Sequence, residues 1–162
     1  MTTAAVVVAA LIERGLTIAV AESLTGGKLV AALIDVPGAS KTVLGGVVAY
    51  NTALKASVLG VDAVLLAERG AVDDEVARQL ASGARLTLAV DGRAADIGIA
   101  TTGVAGPDPQ DGKPVGTVFI GLATADSVVS VALQLSGTRE DIRNAVVSES
   151  LVQLAKLLGI EP

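Results

Sequence analysis

The stretch TIAVAESLTGGKLVAALI, residues 17–34, decides the fold class. Residues 17–21 form a short apolar run rich in β-branched side chains, which reads as a buried strand. Glu22 and Ser23 end that run. A helix is then expected over about 25–34, with Pro37-Gly38 as the turn beyond it. A strand passing through a tight turn into a helix is the building unit of an α/β domain, and the same alternation recurs on both sides. Upstream, residues 2–14 read as an amphipathic helix stopped by Gly15. Downstream, VLGGVVAY at 43–50 is a second strand, in which Gly45-Gly46 marks a bulge or a close backbone approach. Short helices are expected over 52–59 and 64–68, the second closed by Gly70. Asp73-Asp74-Glu75 opens a longer helix with a buried stripe of Val76, Leu80, Ala84 and Leu88. Residues 95–100 form a strand leading into a Gly/Pro-rich loop over 102–114. Residues 115–124 and 128–135 form an antiparallel pair. Thr138 caps a last helix whose apolar face is Val147, Leu151, Leu154 and Leu158. Hairpin and crossover connections both occur, so the sheet is expected to be mixed.

Composition narrows the chemistry. The chain has 162 residues, 51% hydrophobic and only 1% aromatic, so one domain over 1–162 is expected, with a core of Ala, Val, Leu and Ile. A formal charge of −5 argues against a nucleic-acid partner, which calls for a basic patch to displace phosphate counterions. The absence of cysteine removes disulfides and thiolate chemistry, and the absence of histidine removes a Ser-His-Asp triad and histidine-ligated zinc. No Asp/Glu cluster has metal spacing. Neither a metal nor another cofactor is expected. Mean hydropathy is +0.64, yet Gly, Asn, Lys and Asp break the apolar runs well before the ~20 residues of a membrane span. The apolar start AAVVVAALI lacks a basic leader and runs straight into Glu13-Arg14-Gly15. A cytoplasmic location without a membrane partner is the expectation. An apolar surface points to a homo-oligomer.

Four constellations have the residue types for chemistry. In VAESLTGGKL, residues 20–29, Ser23 stands at a strand-to-helix turn beside helix N–H groups able to hold a phosphate or an oxyanion. A serine there is also a common helix cap, and residue types leave both readings open. Glu22 either orients a ligand or projects into solvent. In AYNTALK, residues 49–55, Asn51 as an N-cap places Lys55 one turn into a helix, where the dipole and burial lower an amine's pKa. With no histidine, a Ser-Lys pair is the most economical general-base scheme. Taken alone, a lysine with its head in water is the commoner reading. Tyr50, the only tyrosine, lines a pocket, donates its hydroxyl or simply packs. The loop TTGVAGPDPQDGKPVGTV, residues 101–118, places Thr102 at a strand end and can turn N–H groups toward an anion, or is a turn-rich surface loop. In SGTREDIR, residues 136–143, Arg139 and Arg143 lie one turn apart and suit an anion, although Glu140 and Asp141 can pair with them instead.

These stretches, with VPGAS, LGV, GAV and ASGAR between them, resemble in this order the CinA C-terminal domain family, over about residues 13–158. Its enzymes are nicotinamide-nucleotide amidohydrolases, or NMN deamidases, and the length resembles the stand-alone form. The resemblance implies a three-layer α/β/α sandwich on a mixed sheet. It also implies metal-free hydrolysis of the carboxamide of nicotinamide mononucleotide to nicotinic acid mononucleotide and ammonia. Ser23 matches the family's nucleophile and Lys55 its general base, while Tyr50 and Thr102 match supporting positions. Arg139 matches a substrate- or phosphate-contacting arginine. Glu22, Thr25, Gly26, Gly27, Gly103 and Gly106 complete the expected substrate-binding set. Three departures stand out: Leu24 where cysteine is common, Asp73 where serine is usual, and DPQDGK in place of a glycine-rich loop. Two other classes share these residues, a non-catalytic nucleotide- or phosphate-binding module and a serine-lysine amidase for another small amide.

Overall fold

The computed structural model describes residues 1–162 and builds the molecule around a strand buried along its whole length, β1 (Ile18–Glu22). Four further strands, β2 (Val43–Val48), β3 (Ile97–Gly103), β4 (Thr117–Ala123) and β5 (Val128–Gln134), complete one sheet in the order β2-β1-β3-β4-β5. β1 pairs in parallel with β2 and β3, while β3–β4 and β4–β5 are antiparallel. The sheet is therefore mixed, as the connections indicate. The register between β1 and β2 skips Leu44, so the bulge expected at the glycine pair is present, with Gly45 at φ 150°.

Six α-helices cover the two faces: α1 (Thr3–Arg14), α2 (Lys28–Ile34), α3 (Thr52–Ser57), α4 (Ala63–Arg69), α5 (Asp74–Thr87) and α6 (Arg139–Leu157). One face carries the large side chains Ile18, Val20, Ile99, Val118 and Ile120, packed under α1, α2 and α6. The other carries alanines 19, 21, 100 and 123 under α5 and the α3–α4 segment. The result is a three-layer α/β/α sandwich.

The two faces differ because branched side chains hold a helix away from a sheet, whereas alanine and glycine admit it. A Cβ on Gly98 or Gly121 would run into the backbone carbonyl of Ala81 or Ala77 on α5. Close packing of small residues thus replaces the missing aromatics.

Several element ends move from their expected places. α2 begins at Lys28 rather than near residue 25, because residues 23–27 are taken up by a turn. β2 stops at Val48, and β3 runs on through Thr102 and Gly103, which the pattern assigned to a loop. Leu88 is the half-buried C-cap of α5 rather than part of its buried stripe.

Candidate active site

The turn after β1 is organised by Glu22. Its carboxylate is 2% exposed and folds forward onto the start of α2. One oxygen accepts from the N–H groups of Gly27 and Leu29, both at 3.0 Å, and the other from Val30 at 2.8 Å. Glu22 neither faces solvent nor lines the cavity described below. It supplies the N-terminal cap expected of a serine or threonine, since the N-cap residue Gly27 has no side chain and sits at φ 97°. Ser23 is therefore released from capping, and the start of α2 is closed to an external anion. Thr25 is fully buried, its hydroxyl 2.8 Å from that of Thr101. The Leu24 side chain packs into the α1–α2–α6 core.

Lys55 is reached from the neighbouring strand. Glu22 pairs with Val48 at the ends of β1 and β2, and the chain then turns into α3, capped as expected by Asn51 through the Ala53 N–H at 2.9 Å. Lys55 is the largest fully buried side chain in the molecule, 1% exposed. Its Nζ donates to Ser23 Oγ at 3.1 Å and to the Ala49 carbonyl at 2.7 Å, with the Tyr50 carbonyl at 3.5 Å. None of the ion pairs in the structure includes it. Burial without a counter-ion disfavours the ammonium and lowers its pKa from 10.5 to about 8. About a tenth of the amine is then neutral at pH 7. The solvated-lysine reading does not describe this residue.

The remaining predicted residues divide. Thr102 is buried, and its hydroxyl donates to the Ala71 carbonyl at 2.6 Å. Tyr50 is 60% exposed rather than packed, and its hydroxyl accepts from Arg139 Nη2 at 3.0 Å. Arg139 Nη1 donates to the Gly106 carbonyl at 2.7 Å, so this guanidinium bridges two rims of a cleft. It does not pair with Glu140 or Asp141; Asp141 forms a capping box with Thr138 instead. The arginine fork expected of Arg139 and Arg143 is also absent, because Arg143 donates to the carbonyls of Leu24 at 2.8 Å and Thr25 at 3.2 Å. Asp73 caps α5 through the Glu75 and Val76 N–H groups. Gly103 lies against β4, where a Cβ would sit 2.7 Å from Val118.

Ser23, Lys55, Tyr50, Thr102, Gly106 and Arg139 line one cavity of about 390 Å³. It lies beyond the carboxyl ends of β1 and β3, where open α/β sheets place their ligands. Glu22, Thr25, Gly26 and Gly27 stand behind this lining and shape the turn that carries Ser23. Sequence reasoning missed Asp108 and Gln110, which also line the cavity. Gln110 opens a small hairpin, paired with Lys113, whose Asp111-Gly112 tip has both residues at positive φ and docks through Asp111 on the Ala71 N–H. The dipeptide Asp-Gly was the available signal. The structure contains no cluster of three His, Cys, Asp or Glu residues suited to a metal, and no helix long and apolar enough to cross a membrane.

Residues 1–158 match the CinA C-terminal domain. The chain belongs to that family. A CinA-like protein of Frankia casuarinae is 49% identical over 154 residues, 95% of this chain and 34% of that protein. A CinA-like protein of an Anaeromyxobacter species is 48% identical over 150 residues, 91% of this chain and 35% of that protein. The chain thus spans about a third of the length of these curated relatives. Among solved structures, a CinA superfamily protein from Klebsiella pneumoniae superposes with a TM-score of 0.89 at 34% identity, covering 97% of this chain and 96% of that one. The competence/damage inducible protein CihA from Agrobacterium tumefaciens gives 0.88 at 32% identity, covering 96% and 93%. The mixed five-stranded sheet of this CinA domain is the fold of those structures.

Proposed function

We propose that this CinA domain hydrolyses the carboxamide of nicotinamide mononucleotide, giving nicotinic acid mononucleotide and ammonia through a serine-lysine mechanism. The observation that carries the reading is the contact between Lys55 Nζ and Ser23 Oγ at 3.1 Å, with the amine buried and its pKa brought down to about 8. A neutral lysine at that distance can take the serine proton as the hydroxyl attacks.

Neutral Lys55 accepts the proton of Ser23, and Oγ bonds to the amide carbon. The negative charge moves to the carbonyl oxygen, beside the N–H of Leu24, a residue that lines the cavity and whose N–H donates to no protein acceptor. The N–H groups of Gly26 and Gly27 are already engaged, with the Ser23 carbonyl and Glu22, so only the first half of the glycine turn serves this role. The carbon–nitrogen bond then breaks, and Lys55 returns its proton to the departing ammonia. Water attacks the acyl-serine with Lys55 accepting its proton, the acid leaves, and Ser23 recovers the proton. Arg139, held across the cleft by Tyr50 and Gly106, takes the nucleotide phosphate and positions the amide. The substrate rests on family resemblance; the pair of reacting groups rests on geometry.

The test is release of ammonia and nicotinic acid mononucleotide from nicotinamide mononucleotide, with a chelator present, by the native chain and by Ser23→Ala. Release that disappears in a folded Ser23→Ala protein is the expected result. Release that survives the substitution overturns the covalent scheme. A folded native protein that binds the nucleotide without releasing ammonia is a binding module.

A further inference from the structure

Arg143 has no part in the scheme above, yet its side chain reaches from α6 to the turn that carries Ser23. Through residues 23–25 every backbone carbonyl is held. The Ser23 carbonyl accepts from the Gly26 N–H at 3.1 Å, and the Thr25 carbonyl from the Lys28 N–H at 3.2 Å and from Arg143. The Leu24 carbonyl has a single partner, Arg143 Nε at 2.8 Å. A peptide unit is planar and trans, so fixing its carbonyl in one direction fixes its N–H in the opposite one. The N–H across from the Leu24 carbonyl is that of Thr25, fully buried behind the cavity wall; the Leu24 N–H, on a residue that lines the cavity, also has no protein acceptor. Gly26, at φ 59°, leaves room for this contact; a Cβ there would lie 3.2 Å from Arg143 Nη2.

We propose that Arg143 is a positioning residue for acyl transfer at Ser23, holding the Leu24–Thr25 peptide so that the turn keeps the Leu24 N–H, at the cavity wall, directed at the oxygen of the reacting carbonyl. The inference rests on Ser23 being the nucleophile. The guanidinium acts by preventing that peptide from rotating, which fixes the Leu24 backbone between it and Ser23. Glu22 holds the other end of the same turn by its N–H groups, so the nucleophile sits between a fixed anion and a fixed cation. Neither is spent on substrate.

The test uses p-nitrophenyl acetate, which acetylates a reactive serine directly. The Ser23 Oγ–acetyl bond forms, p-nitrophenolate leaves, and the serine proton passes to Lys55. Acetylation at Ser23 is followed by peptide mass in the native chain, Arg143→Ala and Arg143→Lys, with thermal melting of each. Deleting an oxyanion donor outright costs about 10²–10³ in rate, so misorienting one is expected to slow Arg143→Ala about 10- to 100-fold. Guanidinium ion at non-denaturing concentration is expected to restore part of the rate, and Arg143→Lys to fall between the two. With nicotinamide mononucleotide the same loss appears in kcat at unchanged KM. An unchanged acetylation rate in folded Arg143→Ala overturns the proposal. So does a loss that follows thermal stability and that neither guanidinium nor lysine relieves. No labelling of Ser23 in the native chain overturns the nucleophile and this proposal with it. Labelling without ammonia release from the mononucleotide removes only the substrate.

Discussion

The dependence of rate on pH follows directly from the burial of Lys55. The amine is 1% exposed, and its pKa is lowered from 10.5 to about 8 by desolvation. The free base makes up about a tenth of the enzyme at pH 7 and about nine tenths at pH 9, so kcat/KM is expected to rise about tenfold and then level off. A lysine of ordinary pKa would give roughly a hundredfold climb over the same two units, with no plateau by pH 9. Initial rates of ammonia release at sub-saturating substrate between pH 6 and 9.5 separate the two. Stability supplies an independent arm. The folded state loses the proton near pH 8 and the unfolded chain near 10.5, so between these values the unfolded chain binds more protons. Stability therefore rises with pH through that window, by an amount on the order of 2–3 kcal/mol, and the rise is absent in Lys55→Met. A rate that climbs log-linearly to pH 9.5, or one indifferent to pH, refutes Lys55 as a buried general base.

Three further outcomes can be checked on the same protein. Arg139→Ala removes the bridge between Tyr50 and Gly106 and is expected to raise KM for the mononucleotide about tenfold or more, with a much smaller effect on a phosphate-free amide; equal effects on both would deny it a phosphate. Glu22→Gln replaces a carboxylate that accepts three N–H groups by an amide with one acceptor oxygen, and is expected to cost about 1–3 kcal/mol in denaturant melts. Gly98→Ala drives a methyl into the Ala81 carbonyl on α5 and is expected to cost about 3 kcal/mol, with reduced soluble yield; an unchanged melting point would contradict the close α5–sheet contact.

Much of this molecule is legible without coordinates because its signals are local. Alternating strands and helices, glycine stops at Gly15 and Gly70, and caps at Asn51, Asp73 and Thr138 act through neighbours within a turn of chain. They suffice for the α/β class, the mixed sheet and most element positions. Where the pattern erred, a distant partner had intervened. β3 extends through Thr102 because β4 is there to pair with it, and α2 starts late because Glu22 needs residues 23–27 as a turn. The absence of histidine and cysteine likewise confines the chemistry to Ser, Thr, Lys, Arg, Tyr, Asp and Glu by composition alone.

The tertiary structure decided what each candidate side chain does. Ser23 and Lys55 are 32 positions apart, and only the parallel pairing of β1 with β2 brings their ends together. Arg139 and Arg143 look equivalent on one helix, yet α6 directs the first across the cavity and the second onto the nucleophile turn. Glu22 is a helix cap rather than a ligand, because the two left-handed glycines fold the chain back over it. Desolvation is the physical reason for the difference: residue type and spacing specify a side chain's reach and charge, but its pKa and partners depend on which surfaces the packed layers remove from water.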